Sequence, residues 1–412
     1  MKFQKKSIKI PDFLKHISNF APIYREANVF LPTLTHHRIS MAGLYIHIPF
    51  CASRCIYCAF YSSTRLELRQ RYVDALCAEM DRRKGYLPEE QPIKTIYLGG
   101  GTPSQLTKGQ FEQLFAYIYK VYGQAAEEIT VEMNPDDIQP GNIAALAALG
   151  VNRISMGAQT FSEERLKFLR RRHRAGDIVR AVQTVNSQGI GNVSIDLMFG
   201  FPGQKLTEWQ SDLERVLEIR PQHISAYGLM YEEGTTLMHM LEQGKVQPAD
   251  EELCNAMYDR LMDMLEAAGY EHYEISNFAL PGYRARHNSC YWDDTPYTGI
   301  GAAAHSYDGR SRQWNVADLE TYIRGTERGE NVIEREEIDE QTHYNDIITT
   351  ALRTIEGIDT EKLDHTQRQH LLTCARQHIG SGNLMMEGSR IRLTRKGLYI
   401  SDMVMSDLMM ID

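Results

Sequence analysis

The 412-residue sequence contains no apolar run long enough to span a bilayer, so the chain is not read as integral to a membrane. It also lacks a basic excess. Lys and Arg number 45 against 54 Asp and Glu, and a net charge of -9 argues against a general nucleic-acid binder, whose phosphate contacts need a basic surface. The first residues show no apolar segment followed by a small-residue cleavage site, so no secretory leader is read there. Nor do the seven cysteines look like a disulfide framework. Three crowd into one short loop, which points to a reducing cytoplasm. With 42% hydrophobic and 24% charged residues, the composition is that of an ordinary α/β chain, long enough for one large domain and a smaller one.

The first forty residues stand apart. Seven basic residues (Lys2, Lys5, Lys6, Lys9, Lys15, Arg25 and Arg38) face Asp12 and Glu26, a local net charge of +5 that leaves -14 for the remainder. A foldable pattern begins only at Met41, so residues 1–40 are expected to be either a disordered arm or the product of an upstream start codon.

What the sequence does have is LYIHIPFCASRCIYCAF, from Leu44 to Phe60, which sets Cys51, Cys55 and Cys58 in a loop directly after a strand-like run. Three thiolates in one turn are a ligand set for an iron–sulfur cluster, and three ligands offered to four irons leave one iron open for chemistry. The alternatives are a structural zinc site, which would want a second Cys or His pair, and a loop with incidental cysteines.

From Leu44 onward, strand-like runs alternate with helical patterns: Leu44–Ile48, Thr95–Leu98, Ile129–Glu132, Arg153–Met156, Val193–Met198 and Ile224–Leu229. That order predicts parallel strands with right-handed crossovers, as an open sheet or a partial barrel. Thr107 and Gln110 have capping-box spacing, and Phe111, Leu114, Phe115, Ile118 and Val121 follow at helical spacing up to Gly123. Ligands gather beyond the C-terminal ends of such strands, where Cys51, Gly99 and Glu132 fall.

The cysteine loop and GGGTPS at Gly99–Ser104 resemble the radical S-adenosylmethionine superfamily. More narrowly, YIHIPFC, GGGTPS, VEMNP, GAQTF and SIDLMFGFPGQ, in that order, resemble the oxygen-independent coproporphyrinogen oxidase group and its haem-chaperone branch, from about Leu44 to the C-terminus. The resemblance implies an α/β fold: a partial TIM-type (β/α)6 barrel with a smaller, winged-helix-like C-terminal domain. It also implies a 4Fe-4S cluster on Cys51, Cys55 and Cys58 with S-adenosylmethionine on the open iron. Gly99, Gly100 and Gly101 would let backbone approach that ligand and give it their amides; the alternative is a tight strand-to-helix turn that needs nothing bound. Tyr57, before the last cysteine, and Thr102 belong to the same set. Glu132 would accept from ribose hydroxyls or the ammonium group. Gln159, Arg171 and Asp196 match positions that contact the nucleoside or carboxylate, and Tyr45 matches one beside the cluster. Arg171 in RRRHR also reads as a solvated basic helix end.

Two features separate the branches. The oxidase branch usually has a further cysteine two residues after the third of the triad, where this chain has Phe60. The chaperone branch carries H-N-x-x-Y-W, supplied here by His287, Asn288, Tyr291 and Trp292. An imidazole ligand, an Asn to orient it and flat aromatic faces make a haem grip, and the alternative is a buried aromatic cluster joining two domains. Cys290 is not carried over as a ligand, and His305 is placed either at the cofactor mouth or in the core. The implied function is a cytoplasmic haem chaperone that passes haem to an acceptor protein, membrane-associated or not. The alternative is an enzyme that oxidatively decarboxylates two propionates of coproporphyrinogen III.

The remaining boundaries follow. Residues 41–235 are read as the barrel and 236–316 as a connecting segment that carries the HNxxYW string. Residues 317–412 are the C-terminal domain, expected to cover the barrel mouth. A winged helix raises DNA binding, which the acidic balance and the lack of a basic recognition helix oppose. Met403, Met405, Met409 and Met410 are read as packing or a tail, and Cys77, Cys254 and Cys374 as core or half-buried residues.

Overall fold

The structure is a computed structural model that describes residues 41–87 and 91–411, so the expectation for residues 1–40 lies outside the described residues. Strand β1 (Ala42–Ile48) begins a series with β2 (Ile93–Gly100), β3 (Glu128–Met133), β4 (Arg153–Gln159), β5 (Asn192–Phe199) and β6 (His223–Gly228), each paired in parallel with the next. All six runs expected from the sequence are present, with ends that move by up to three residues.

These strands alternate, and the alternation makes the fold. Leu44, Ile46 and Ile48 of β1, Ile96 and Leu98 of β2, and Val193, Ile195 and Leu197 of β5 belong to the main apolar core beneath the helices. The intervening residues Tyr45, His47, Tyr97, Glu132, Arg153, Ser155, Asp196 and Ser225 line an internal cavity instead. Period-two alternation sends successive side chains to opposite faces, so the same strands build a greasy outer layer and a polar lumen. The helices behave as the sequence requires. In Lys108–Tyr122 the capping box of Thr107 and Gln110 is closed, Phe111, Leu114, Phe115 and Ile118 are buried, and Gly123 ends the helix at φ 76°.

Residues 236–316 do more than connect. They supply β7 (Glu271–Glu274) and β8 (Asn277–Ala279) beyond β6, and at the other side β9 (Tyr297–Ile300), parallel to β1, then antiparallel β10 (His305–Tyr307) and β11 (Ser311–Asn315). With β12 (Ile333–Glu337) the sheet has twelve strands among the described residues, running in space from β12 through β9, β1 and β6 to β7. Helix Arg69–Arg83 fastens this extension through buried Glu79. Its carboxylate accepts from Gly301 N at 2.9 Å, Asn315 Nδ2 at 2.8 Å and Tyr322 Oη at 2.5 Å, and pairs with Arg83 at 3.4 Å.

The C-terminal part has its own core, including Tyr344, Ile348, Leu371, Ile391, Val404 and Leu408. A three-stranded sheet of β13 (Ile358–Asp359), β14 (Leu384–Glu387) and β15 (Arg390–Leu393) forms the wing, and helix Ser401–Leu408 follows it. Helix Glu340–Ala351 and the residues after it reach from one flank of the sheet to the other: Asp346 pairs with Arg312 of β11, while Ile275 N donates to Arg353 O and Ile355 N to Tyr273 O beside β7. The helix thereby walls the side of the cavity with Thr342, Asn345, Thr349 and Thr350.

Candidate functional site

The cysteine loop leaves the C-terminal end of β1 and is stapled at its base, where Cys51 N donates to Ser63 O at 2.9 Å and Ser63 N to Pro49 O at 2.6 Å. Ile56 anchors its middle in a small apolar cluster with Leu169, Met198, Phe201 and Leu237. The loop therefore holds Cys51, Cys55 and Cys58 half-buried on the cavity wall, all as free thiols. Burial pushes the Cys58 thiol up to about 11 and raises Cys51 as well. Thr102 Oγ1 lies 3.5 Å from the Cys51 sulfur, and Arg171 Nη1 donates to the Cys55 sulfur at 3.4 Å. Among the described residues no three His, Cys, Asp or Glu side chains are drawn together tightly enough for a single metal ion. Thiolates on separate corners of a four-iron cube stand wider apart than ligands of one ion, and three soft donors with hydrogen-bond donors beside them fit such a group.

The glycines at the end of β2 are explained by close packing. A Cβ on Gly99 would meet the Glu132 carboxylate at 2.8 Å, one on Gly100 (φ 104°) the His47 ring at 2.3 Å, and one on Gly101 the backbone of Pro49 at 2.7 Å. Two of the three glycine amides expected to meet the ligand are bonded within the protein. Gly100 N donates to Glu132 Oε2 at 3.1 Å, Gly101 N to Ile48 O at 2.9 Å and Thr102 N to Phe50 O at 2.7 Å, so these three donors already have protein acceptors.

Glu132 also accepts from Tyr97 Oη at 2.7 Å. Burial, opposed by the Tyr97 hydrogen bond, lifts its carboxyl to about 7, and burial lifts Asp196 to about 6 beside the hydroxyls of Ser225 and Ser155. Gln159 lines the cavity with a left-handed backbone, φ 69°, next to the irregular pairing of β4 with β5. Such a conformation is uncommon in a residue other than glycine. Arg171 is no solvated helix end: besides Cys55 it donates to Asn134 Oδ1 at 2.7 Å and Gly157 O at 2.6 Å, and its buried Nε has no partner. Tyr45 and Tyr57 line the same cavity, and Tyr45 Oη lies 2.9 Å from His47 Nδ1. Because His47 Nε2 lies 3.1 Å from the Tyr61 carbonyl it must carry the proton, and Tyr45 donates to Nδ1.

Helix Arg286–Cys290 is capped by Glu128, which accepts from Arg286 N at 3.0 Å and His287 N at 2.9 Å, and His287 projects among the inward residues at the N-terminal ends of β1 and β2. It is 1% exposed. Nδ1 lies 2.9 Å from Thr95 Oγ1 and Nε2 2.9 Å from Tyr291 Oη, while the ring stacks on Tyr97 at 5.2 Å between centroids. Burial pushes its pKa down to about 3, so the imidazole is neutral, with one nitrogen donating and the other accepting. Thr95 and Tyr291 orient it rather than Asn288, which lines the cavity nearby, and Trp292 is buried under the Arg353 guanidinium at 5.1 Å. In this conformation the string forms the buried aromatic cluster, and both ring nitrogens are engaged. His305 faces the cavity half-exposed, its ring stacked on Trp314 at 6.1 Å. Cys290 is buried, as is Cys77, and Cys254 and Cys374 are half-buried.

The cysteine triad, Glu132, Gln159, Arg171, Asp196 and His287 line one cavity of about 2070 Å³, roughly twice the upper end of ordinary small-molecule pockets at about 1,000 Å³. Sequence reasoning did not single out Tyr97, Thr95, His47 or Arg153. The signal was available in the period-two polar residues of six strands that, buried on both faces of a parallel sheet, would otherwise be near-continuous hydrophobic runs.

With that geometry in hand, the chain can be set beside known proteins. The family model described as the radical SAM superfamily matches residues 45–216. The "Heme chaperone HemW" of Lactococcus lactis is 33% identical over 374 residues, covering 89% of this chain and 97% of the relative. The protein of the same name from Mycobacterium tuberculosis is 30% identical over 395 residues, covering 94% and 100%. Among solved structures, coproporphyrinogen III oxidase (HemN) from Escherichia coli superposes with a TM-score of 0.77 at 21% identity, covering 90% of each chain, which is a likeness of fold.

Proposed function

Because the chain belongs to the radical SAM superfamily, within the group that includes the HemW relatives, we propose that it is a haem chaperone. It carries a 4Fe-4S cluster and S-adenosylmethionine and passes haem to an acceptor protein in a reducing compartment. One observation carries this reading: the cysteine triad and the HNxxYW helix face a single cavity large enough for more than one ligand. When bound, the cluster with S-adenosylmethionine supplies reductive cleavage of a sulfonium. Cys51, Cys55 and Cys58 would hold it, with Thr102 and Arg171 donating to the sulfurs. Glu132, Asp196, Gln159 and Tyr57 would orient the nucleoside and amino-acid parts. Phe60, 53% exposed where the oxidase branch has a cysteine, supports a chaperone over an oxidase.

His287 enters this reading conditionally on its neighbour. Ligation of haem iron through Nε2 requires exchange of the Tyr291 hydroxyl for the metal, so Tyr291→Phe should tighten haem binding by several fold and His287→Ala should abolish it. Anaerobically reconstituted protein is to be titrated with haem and, in parallel, incubated with S-adenosylmethionine, reductant and coproporphyrinogen III. Stoichiometric haem binding without protoporphyrinogen supports the chaperone; robust protoporphyrinogen formation overturns it. Haem binding indifferent to both variants would remove His287 from the ligand role.

A further inference from the structure

Arg153, the first residue of β4, points inward at the N-terminal end of the strand, lines the cavity and is 1% exposed. Among the described residues its guanidinium makes no hydrogen bond or ion pair, and its buried Nε is without a partner. This is unusual chemistry. A buried guanidinium almost always has a carboxylate, because an unpaired ion in the interior costs several kcal/mol. Glu132 and Asp196 feel its charge, yet neither lies within ion-pair distance, and both keep raised pKa values because burial outweighs that attraction. Tyr97, Tyr273, His223 and His287 share its field, and the carboxylates that act on those tyrosines, Glu128, Glu132, Asp196 and Glu274, form no ion pair with it.

We propose that Arg153 anchors a carboxylate subsite on the inner floor of the cavity, where it takes a propionate of the bound porphyrin. The depth of the barrel distinguishes the two carboxylate-bearing ligands. Arg153 opens β4 and Gln159 closes it; six residues of strand span about 20 Å at about 3.3 Å each. The cysteine loop lies beyond the C-terminal ends, so S-adenosylmethionine held there does not extend its carboxylate to Arg153. A flat macrocycle with its propionates on the floor fits between the tyrosine-lined strands and helix Glu340–Ala351, and an Arg–carboxylate pair in so dry a place is strong and directional. The proposal rests on the porphyrin reading of the cavity.

The test uses the cluster-loaded full chain and four probes: haem, haem dimethyl ester, coproporphyrin III and S-adenosylmethionine. With wild-type protein alone, esterification should weaken haem binding at least tenfold. Arg153→Gln should weaken haem and coproporphyrin III by the same factor, leave the ester and S-adenosylmethionine unchanged within twofold, and be partly rescued by Arg153→Lys. Equal binding of haem and its ester by the wild type overturns the subsite without any variant having to fold. Loss of S-adenosylmethionine rather than porphyrin affinity reassigns Arg153 to the methionyl carboxylate and also overturns it. Should wild-type protein bind coproporphyrin III through Arg153 but not haem, the subsite stands and the haem reading falls; binding of neither porphyrin rejects both.

Discussion

Glu132 shows how single residues in this lumen are set. Its carboxyl titrates near 7 because burial disfavours the anion more than Tyr97 and Gly100 stabilise it. A folded-state value above the ordinary one near 4.5 means that the native protein holds a proton the unfolded chain has released, so this group's contribution to stability is present at low pH and lost as pH rises from about 4.5 to about 7. Glu132→Gln should therefore gain stability relative to wild type across that window, as read from denaturant midpoints at pH 4.5, 6 and 8; a constant difference would contradict the assignment. The same residue shows what a sequence can and cannot tell. That Glu132 ends a strand near the glycines was legible, because strand ends follow from periodicity. Its hydrogen bond to Tyr97, and the bonding of both His287 nitrogens, were not, since they depend on how elements distant in the chain are brought together.

Among the elements, the helix Arg69–Arg83 carries the clearest prediction. Glu79 ties it to Gly301, Asn315 and Tyr322, and Arg83 lies buried beside it while donating to Gly299 O at 2.8 Å and Ser306 Oγ at 2.9 Å. Glu79→Ala would strand that guanidinium, together with the Asn315 and Tyr322 donors, at a cost of about 3–5 kcal/mol by the usual penalty for breaking a buried pair. Equilibrium unfolding checks it, and a loss below about 1 kcal/mol would mean that water replaces the carboxylate. Elements were the most legible level of this chain: the capping box at Thr107, the stop at Gly123 and the six parallel strands all follow from local pattern. Short strands β7 to β11 were missed because three to five residues leave too little periodicity, and their place is fixed by partners such as β1 and β6 rather than by their own sequence.

At the scale of the whole molecule, the twelve-stranded sheet and the C-terminal helix enclose one cavity between them. The buried pair of Arg353 with Glu274 at 3.3 Å, with Trp292 under the guanidinium, joins the C-terminal domain to the HNxxYW segment. Arg353→Met should loosen that joint: increased amide exchange is expected in helix Glu340–Ala351 and in β7, with β3 to β5 unchanged, whereas uniform exchange across both would show that the joint is only one contact among many. The domain's helices and wing were legible, but its position was not, because a side wall is defined by two sheet flanks that the sequence places far apart.

The central claim is that cluster and porphyrin share this one cavity. It is tested most directly by iron-edge anomalous diffraction from crystals of the anaerobically reconstituted, haem-loaded protein. Two iron sites are expected inside the cavity: a multi-iron peak bound by Cys51, Cys55 and Cys58, and a single-iron peak between the inner strands and helix Glu340–Ala351. A haem iron outside the cavity, or no iron at the cysteine triad, would contradict the account.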